Sequence, residues 1–462
     1  MKFRRILTAL LLAVSVTTFA QNPRYIFFFI GDGMGMGHAL ATDNYYRTVL
    51  GHDNHITMMQ FPVASQCMTY SASSPVTDSA AAGTALATGN KTKNGMLGMT
   101  PDTVAVTSMA NVLKGKGWGI GLVTNCAIDD ATPGAFYAHV PNRNMYYEIG
   151  VQAAYSGYEF LAGAGLRGNI DKKGNPTDLL DVLKGQNVSV VYGRDGYNQA
   201  KTDRVMVLNV KEGEMLNQMG YTIDSLENNL DIKILTEQCI DHMKKVSPDK
   251  FFMMVEGGQI DHGGHANDGG AIIRETLLFN ETLDLAYKFY QEHPEETLII
   301  VTADHDTGGL SVGNAFTGYW ANLDYVNYQK VSKDQFSRYC KAILKSRRVY
   351  TWEDMKEYLS DNLGLWSHIK VNEDQEKTLQ EKFEATFTLR NSEDQKSLYA
   401  NFNAFAVAVF KVFNDAAGVG FTSPHHTGNL VPVYAVGVGA EKFMGINNNV
   451  EIPKKLLEIA GY

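Results

Sequence analysis

The stretch YIFFFIGDGMG, residues 25–35, sets an unbroken apolar run against an aspartate bracketed by glycines. Six apolar residues in a row, with no polar alternation, suit a strand buried on both faces, as in a parallel sheet. The glycines then leave Asp32 exposed to close approach at the strand end, where one carboxylate can bridge two cations. The same design recurs along the chain. Residues 119–124 lead into TNCAIDDATP, 251–255 into EGGQIDHGGH and 297–302 into ADHDTGG, and a further apolar run covers 431–438. Repeated buried strands, each opening into polar chemistry, predict a doubly wound α/β fold with a mostly parallel central sheet flanked by helices. Ligands in such sheets collect beyond the carboxyl ends of the strands, so the polar segments are expected along one edge.

Between these runs lie helical patterns such as 271–291, whose Ile272, Ile273, Leu277 and Leu278 define an apolar face and which stops before Pro294. Two regions break the rhythm. Residues 156–238 are glycine-rich and irregular at first, with one strand expected at 188–192. Residues 318–414 are rich in aromatics and charges, with helices expected near 334–344, 351–363 and 394–413. This second region reads as an insertion forming a cap or interface.

The 462 residues, 44% hydrophobic and 20% charged, are enough for one large domain. The start, MKFRRILTALLLAVSVTTFAQ, places Lys2, Arg4 and Arg5 before an apolar run that ends in small residues near Ala20, the pattern of a secretory signal. Residues 1–20 are therefore expected to be a signal peptide, and 21–462 the exported chain, periplasmic or secreted. The apolar run is shorter than the about 20 residues that span a bilayer. Loss of the leader takes the formal charge from -9 to -12, which argues against nucleic acid as a partner. Cys67, Cys126, Cys239 and Cys340 are widely spaced without a Cys-x-x-Cys pair. They could pair in three ways or remain isolated buried thiols.

Within VTDSAAAGTALATG, residues 76–89, Ser79 is followed by small residues that lead into a helix. A serine hydroxyl needs activation, and the Gly-x-Ser-x-Gly elbow of serine hydrolases is absent here. A metal is the remaining route. Asp32 offers one ligand. Glu256, Asp261 and His265 sit on a glycine-rich segment where Asp261 and His265, four residues apart, share a helical face, with His262 as a further candidate. Asp304 and His305 close another strand, and His426 follows in SPHHTGN. Mixed aspartate and histidine ligands suit zinc, whereas Asp32, Thr132 and Glu256 make an all-oxygen set suited to magnesium.

With these residues in view the chain resembles the alkaline phosphatases. The likeness rests on GDGM at 31–34, VTDSAA at 76–81, DATP at 130–133, AHVPNR ending at Arg143, EGGQIDHGGH at 256–265, TADH at 302–305 and HTG at 426–428, in the family's order. No quoted motif falls in 318–414, and the likeness is not carried into that region. The resemblance implies hydrolysis of phosphate monoesters through a phosphoserine on Ser79, with two zinc ions and one magnesium. By that resemblance Asp261, His265 and His426 hold the first zinc, Asp32, Asp304 and His305 the second, and Asp32, Thr132 and Glu256 the magnesium, with Asp130 acting through its water ligands. The same resemblance implies that Arg143 is the guanidinium that clamps two phosphoryl oxygens and that a homodimer is the expected assembly. Asp130 matches one bacterial branch, while His262 matches the animal branch. A phosphate-holding His262 is expected to titrate near neutral pH and so to favour alkaline activity.

Rival readings remain. A phosphodiesterase or another hydrolase of the same superfamily is the nearest, but a diesterase does not need Arg143 as a clamp. A sulfatase needs Cys/Ser-x-Pro-x-Arg, and Ser79 is followed by Ala80 and Ala81. A metal-free serine hydrolase would use a histidine base and survive chelation. A binding protein with a decayed centre would have lost the nucleophile or clamp, and both Ser79 and Arg143 are present.

Overall fold

The computed structural model describes residues 22–209, 217–224, 230–346, 349–398 and 400–462. Expected residues 1–20 of the signal peptide lie outside them. The centre is β1, Tyr25–Ile30, every residue of which is buried. It pairs in parallel with Phe251–Glu256 on one side and Thr297–Thr302 on the other. The register brings the strand ends level. Ile30 faces both Glu256 and Thr302, and Thr124, the last residue of the strand Gly119–Thr124, faces Glu256. Asp32, Glu256 and Asp304 therefore emerge on the same edge of the sheet.

Beyond Gly119–Thr124 the sheet continues in parallel through Phe160–Gly163, Arg204–Leu208 and Val188–Tyr192. The stretch read as irregular, 156–238, thus adds the expected strand at 188–192 and two more to the sheet. Its strands are short and flanked by glycine turns, which hide their pattern. On the other side lie Val431–Gly437, Val63–Met68 and Ile446–Asn448, completing ten strands among the described residues. Val431–Gly437 runs antiparallel to both its neighbours, contrary to the parallel direction expected for it. A strand buried on both faces shows the same apolar run in either direction, so its hydropathy carries no sign.

The expected helix at 271–291 is Gly269–Glu292, N-capped by Asp268, whose carboxylate accepts from Ala271 N. Those at 334–344 and 351–363 are Lys333–Ser346 and Trp352–Leu363. The third expectation, 394–413, is half right. A short hairpin pairs Gln395–Lys396 with Asn401–Phe402, and the helix is Ala404–Ala417, started by the Asn403 cap on Phe405 N. A further helix, Glu373–Phe383, is not marked in the sequence pattern, because its exposed charges obscure the few buried positions. These helices enclose a core of their own, built on Phe336, Leu359, Phe383, Phe405 and Phe410, apart from the core around the sheet. Cys67, Cys126, Cys239 and Cys340 are all free and buried, so none of the three pairings is present.

Candidate active site

Ser79 is the first residue of the helix Ser79–Thr88 and is buried at that helix's N-terminus. Asp78 is the cap, its carboxylate accepting from Ala81 N at 3.0 Å and from Gly95 N at 2.9 Å. The small residues that follow keep this helix buried throughout its first turns, and the helix end favours an anion near the hydroxyl. Ser79 Oγ lies 3.2 Å from His305 Nε2.

Three imidazoles converge beside it, and their hydrogen bonds define their tautomers. His265 Nδ1 is 2.8 Å from Pro424 O and His426 Nδ1 is 2.8 Å from Thr77 O, so each Nδ1 carries the proton and donates to a carbonyl. His305 Nδ1 meets Thr307 Oγ1 at 3.1 Å, while the Thr307 hydroxyl donates to Asp261 Oδ1 at 2.5 Å. The Thr307 oxygen is thereby the acceptor for His305. All three rings turn an Nε2 lone pair into the same space. His265 Nε2 and His426 Nε2 are 3.0 Å apart, a contact of two lone pairs that a shared cation makes favourable.

Carboxylates complete the arrangement. Asp261 Oδ1 lies 3.5 Å from His265 Nε2 and 3.6 Å from His426 Nε2. Asp304 Oδ2 and Asp32 Oδ1 lie 3.2 and 3.4 Å from His305 Nε2. Two ligand groups result, Asp32 with Asp304 and His305, and Asp261 with His305 and His426, the atoms within each lying within 4.8 Å of one another. Glu256 ends its strand and accepts from the Thr124 hydroxyl, and Thr132 sits in the short helix Ala131–Gly134 capped by Asp130. Gly33 has a φ of 70°, and a Cβ there would lie 2.8 Å from Asp261 Cα, so glycine must follow Asp32.

Electrostatics tests whether this donor set suits cations. Burial, followed by the charges of Asp304, Asp261 and Glu256, pushes the Asp32 carboxyl well up. Burial raises Asp304 to about 7 and Glu256 to about 8. Although burial raises it too, Asp261 is held below the ordinary range by His265, His426 and His305. Burial lowers His305 strongly and His426 as well. So many acids cannot ionise together in a buried space without positive charge. Among the described residues, Asp32 Oδ1, Asp261 Oδ2 and Asp304 Oδ2 are buried with no donor in reach. Oxygens left bare beside imidazole nitrogens fit divalent metals.

Arg143 stands over the nucleophile's cap, with Nη1 3.4 Å from Asp78 Oδ2 and Nη2 3.2 Å from Asp130 Oδ1. Asp130 uses its other oxygen for Arg167 Nη1 at 3.1 Å. Burial alone would raise Asp130, but Arg143 and Arg167 overcome it and hold the carboxylate below its usual range. The structure thus occupies both Asp130 oxygens with guanidinium groups. The expectation that Asp130 meets magnesium through water takes no account of either pair.

His262 departs from expectation. Burial pushes its imidazole down to about 4, so it does not titrate near neutrality. Gln259 Nε2 donates to Met219 O, which leaves Gln259 Oε1 to accept from His262 Nδ1 at 3.1 Å. Its Nε2 faces Cys126 Sγ at 3.9 Å.

Sequence reasoning misses Asp78, Arg167 and Thr307. Asp78 is accessible to it as a capping residue directly before the helix. Nothing local marks Arg167 or Thr307, which matter only through contacts made by the folded chain.

A serine at a helix start, beside carboxylate and imidazole clusters and a guanidinium, belongs to a metal-dependent phosphomonoester hydrolase. The alkaline phosphatase family profile matches residues 23–159 and 167–462. Alkaline phosphatase 3 of Bacillus subtilis is 30% identical over 452 residues, covering 94% of this chain and 88% of its own. Alkaline phosphatase 4 of the same organism is 29% identical over 442 residues, covering 93% and 87%. In fold, the chain is similar to the cold-active alkaline phosphatase of a psychrophilic Shewanella, with a TM-score of 0.78 at 24% identity over 94% of this chain and 99% of that one. The chain belongs to the alkaline phosphatase family, and it is an enzyme, a phosphatase. No helix among the described residues is long and apolar enough to cross a membrane.

Proposed function

We propose that this phosphatase hydrolyses phosphate monoesters through a phosphoserine formed on Ser79. The observation that carries this reading is the convergence of three Nε2 lone pairs and the bare carboxylate oxygens of Asp32, Asp261 and Asp304 beside the Ser79 hydroxyl, which lies 3.2 Å from His305 Nε2. Asp261, His265 and His426 would hold one zinc, Asp32, Asp304 and His305 a second, and Asp32, Thr132 and Glu256 a magnesium. Magnesium is bound in the M3 site of variants of the TAB5 alkaline phosphatase. When bound, these ions supply Lewis acidity that offsets the charge of the phosphoryl group and lowers the pKa of oxygen nucleophiles.

The chain's own groups do the rest. Ser79 Oγ attacks phosphorus as its proton passes to water, and the ester P–O bond breaks as the departing alcohol oxygen takes a proton from water. Water then attacks the phosphoserine, the P–Oγ bond breaks, and Oγ regains a proton as inorganic phosphate departs. The helix N-terminus behind Ser79 favours the anion in both steps. Arg143, oriented by Asp78 and Asp130, turns a planar fork toward two nonbridging oxygens. His262, neutral and tied to Gln259, contributes to the wall of the site. Residues 1–20 would direct export to the periplasm or medium, 318–414 would form an inserted cap or interface, and a homodimer is the expected assembly.

A second reading has one observation in its favour. Ser79, His305, Thr307 and Asp261 form a hydrogen-bonded chain that could serve a metal-free hydrolase with His305 as base. Its weakness is that His305 Nε2 also faces Asp32 and Asp304. The test is phosphate release from phenyl phosphate, compared with a diester and a sulfate, after chelation and after zinc and magnesium are restored. The monoester should be strongly preferred and turnover should follow the metals. Activity that survives exhaustive chelation would favour the metal-free reading.

A further inference from the structure

We propose that Arg167 determines specificity by binding a second anionic group on the alcohol portion of the monoester. The proposal rests on the monoesterase reading and adds a substrate class to it. Arg167 opens the turn Arg167–Asn169 that follows the strand Phe160–Gly163. Its backbone is fixed, because the N–H groups of Arg167 and Gly168 donate to the two oxygens of the buried Asp129 at 2.9 and 2.7 Å. Its guanidinium lies over the Tyr146 ring with Cζ 3.8 Å from the centroid. Nη1 is committed to Asp130 Oδ2, while Arg143 holds Oδ1 of the same carboxylate. A single carboxylate therefore sets a second guanidinium beside the phosphoryl clamp.

The free edge of that group is the informative part. Among the described residues, Arg167 Nε and Nη2 meet no acceptor, yet neither belongs to the buried polar atoms that lack partners. Both N–H groups therefore reach water. Together they form the side-on fork that matches a carboxylate or phosphoryl group in two parallel hydrogen bonds. With its backbone tied and its guanidinium held against the Tyr146 ring, little side-chain entropy remains to be lost on binding. Next to this turn lies a cleft of about 400 Å³ lined in part by Asn144, Tyr146, Gly168 and Lys172, the neighbours of Arg167 in stacking and in sequence. Glu148, Asp171 and Asp178 also line it, so the cleft itself offers no general attraction for anions.

The test compares phenyl phosphate with carboxyphenyl phosphate and with a phenyl bisphosphate, in wild type, Arg167→Met and Arg167→Lys, all loaded with zinc and magnesium. Intrinsic leaving-group differences cancel when each kcat/KM ratio is compared between wild type and variant. Inhibition constants of phenylphosphonate and carboxyphenylphosphonate give the same comparison without turnover. Arg167→Met should lower the selectivity for the second anion by about tenfold, the worth of one charge-assisted contact. Arg167→Lys should keep part of it, and salt should weaken it in wild type. The carboxylate and bisphosphate arms distinguish which anion is preferred. An unchanged ratio in Arg167→Met, or equal losses with and without the second anion, would overturn the proposal and leave Arg167 a support for Asp130. Failure of wild type to turn over phenyl phosphate would instead count against the monoesterase reading, and the phosphonate pair would still decide the role of Arg167.

Discussion

The strand-end site and the helices between 333 and 417 obey opposite rules. At the site, Asp32, Glu256 and Asp304 are buried polar groups fixed at the ends of level strands, and burial, followed by the charge of neighbouring acids, raises their affinity for protons. In the helical region, Phe336, Phe383, Phe405 and Phe410 pack into a core with no ligand group among them. The first region gives up stability to assemble charge, whereas the second is stabilised by apolar burial and contributes none of the ligand residues. The contrast teaches that losses of activity and losses of stability should separate cleanly between the two.

The largest separation is expected from Ser79→Ala, which should lower kcat by about 10⁴-fold or more while leaving thermal unfolding nearly unchanged. Chelation should reduce turnover to background and also lower Tm, because the crowded acids lose the cations that balance them. Zinc plus magnesium should restore both. Recovery of turnover without recovery of Tm would break the link between charge balance and stability. Arg143→Ala should cost about 10²–10³ in kcat/KM, read from steady-state kinetics. A change confined to Tm would remove Arg143 from the chemistry.

Phe405→Ala reverses the pattern. Phe405 is fully buried, so truncation should cost about 3–5 kcal/mol in denaturant unfolding with little change in kcat per folded molecule. An equal fall in kcat would show that the helical region governs the site. The smallest effect is expected at Thr351, which forms a reciprocal capping box with Asp354. Thr351→Ala should cost about 1 kcal/mol, again without a kinetic signature.

The same contrast decides what can be read from the chain. Asp32, Asp304 and His305 are legible because an unbroken apolar run that opens into an acid beside glycine or histidine suits a buried strand end and little else, and parallel register then collects the turns. The capping role of Asp78 is legible in principle from its place directly before the helix. The direction of Val431–Gly437 is not, since burial on both faces erases any directional pattern. Glu373–Phe383 escapes notice because only Leu379 and Phe383 are buried in it. The Arg167 contacts and the neutral state of His262 depend on burial and on partners distant in sequence, which no motif records.

The central claim is that the Ser79 oxygen forms the bond to phosphorus. Metal-loaded enzyme quenched in acid during turnover of phenyl phosphate, then digested and examined by mass spectrometry, tests it directly. The account predicts a phosphoryl group on the peptide containing Ser79, absent from Ser79→Ala. A turning-over enzyme with no phosphorylated peptide, together with full activity in Ser79→Ala, would contradict it.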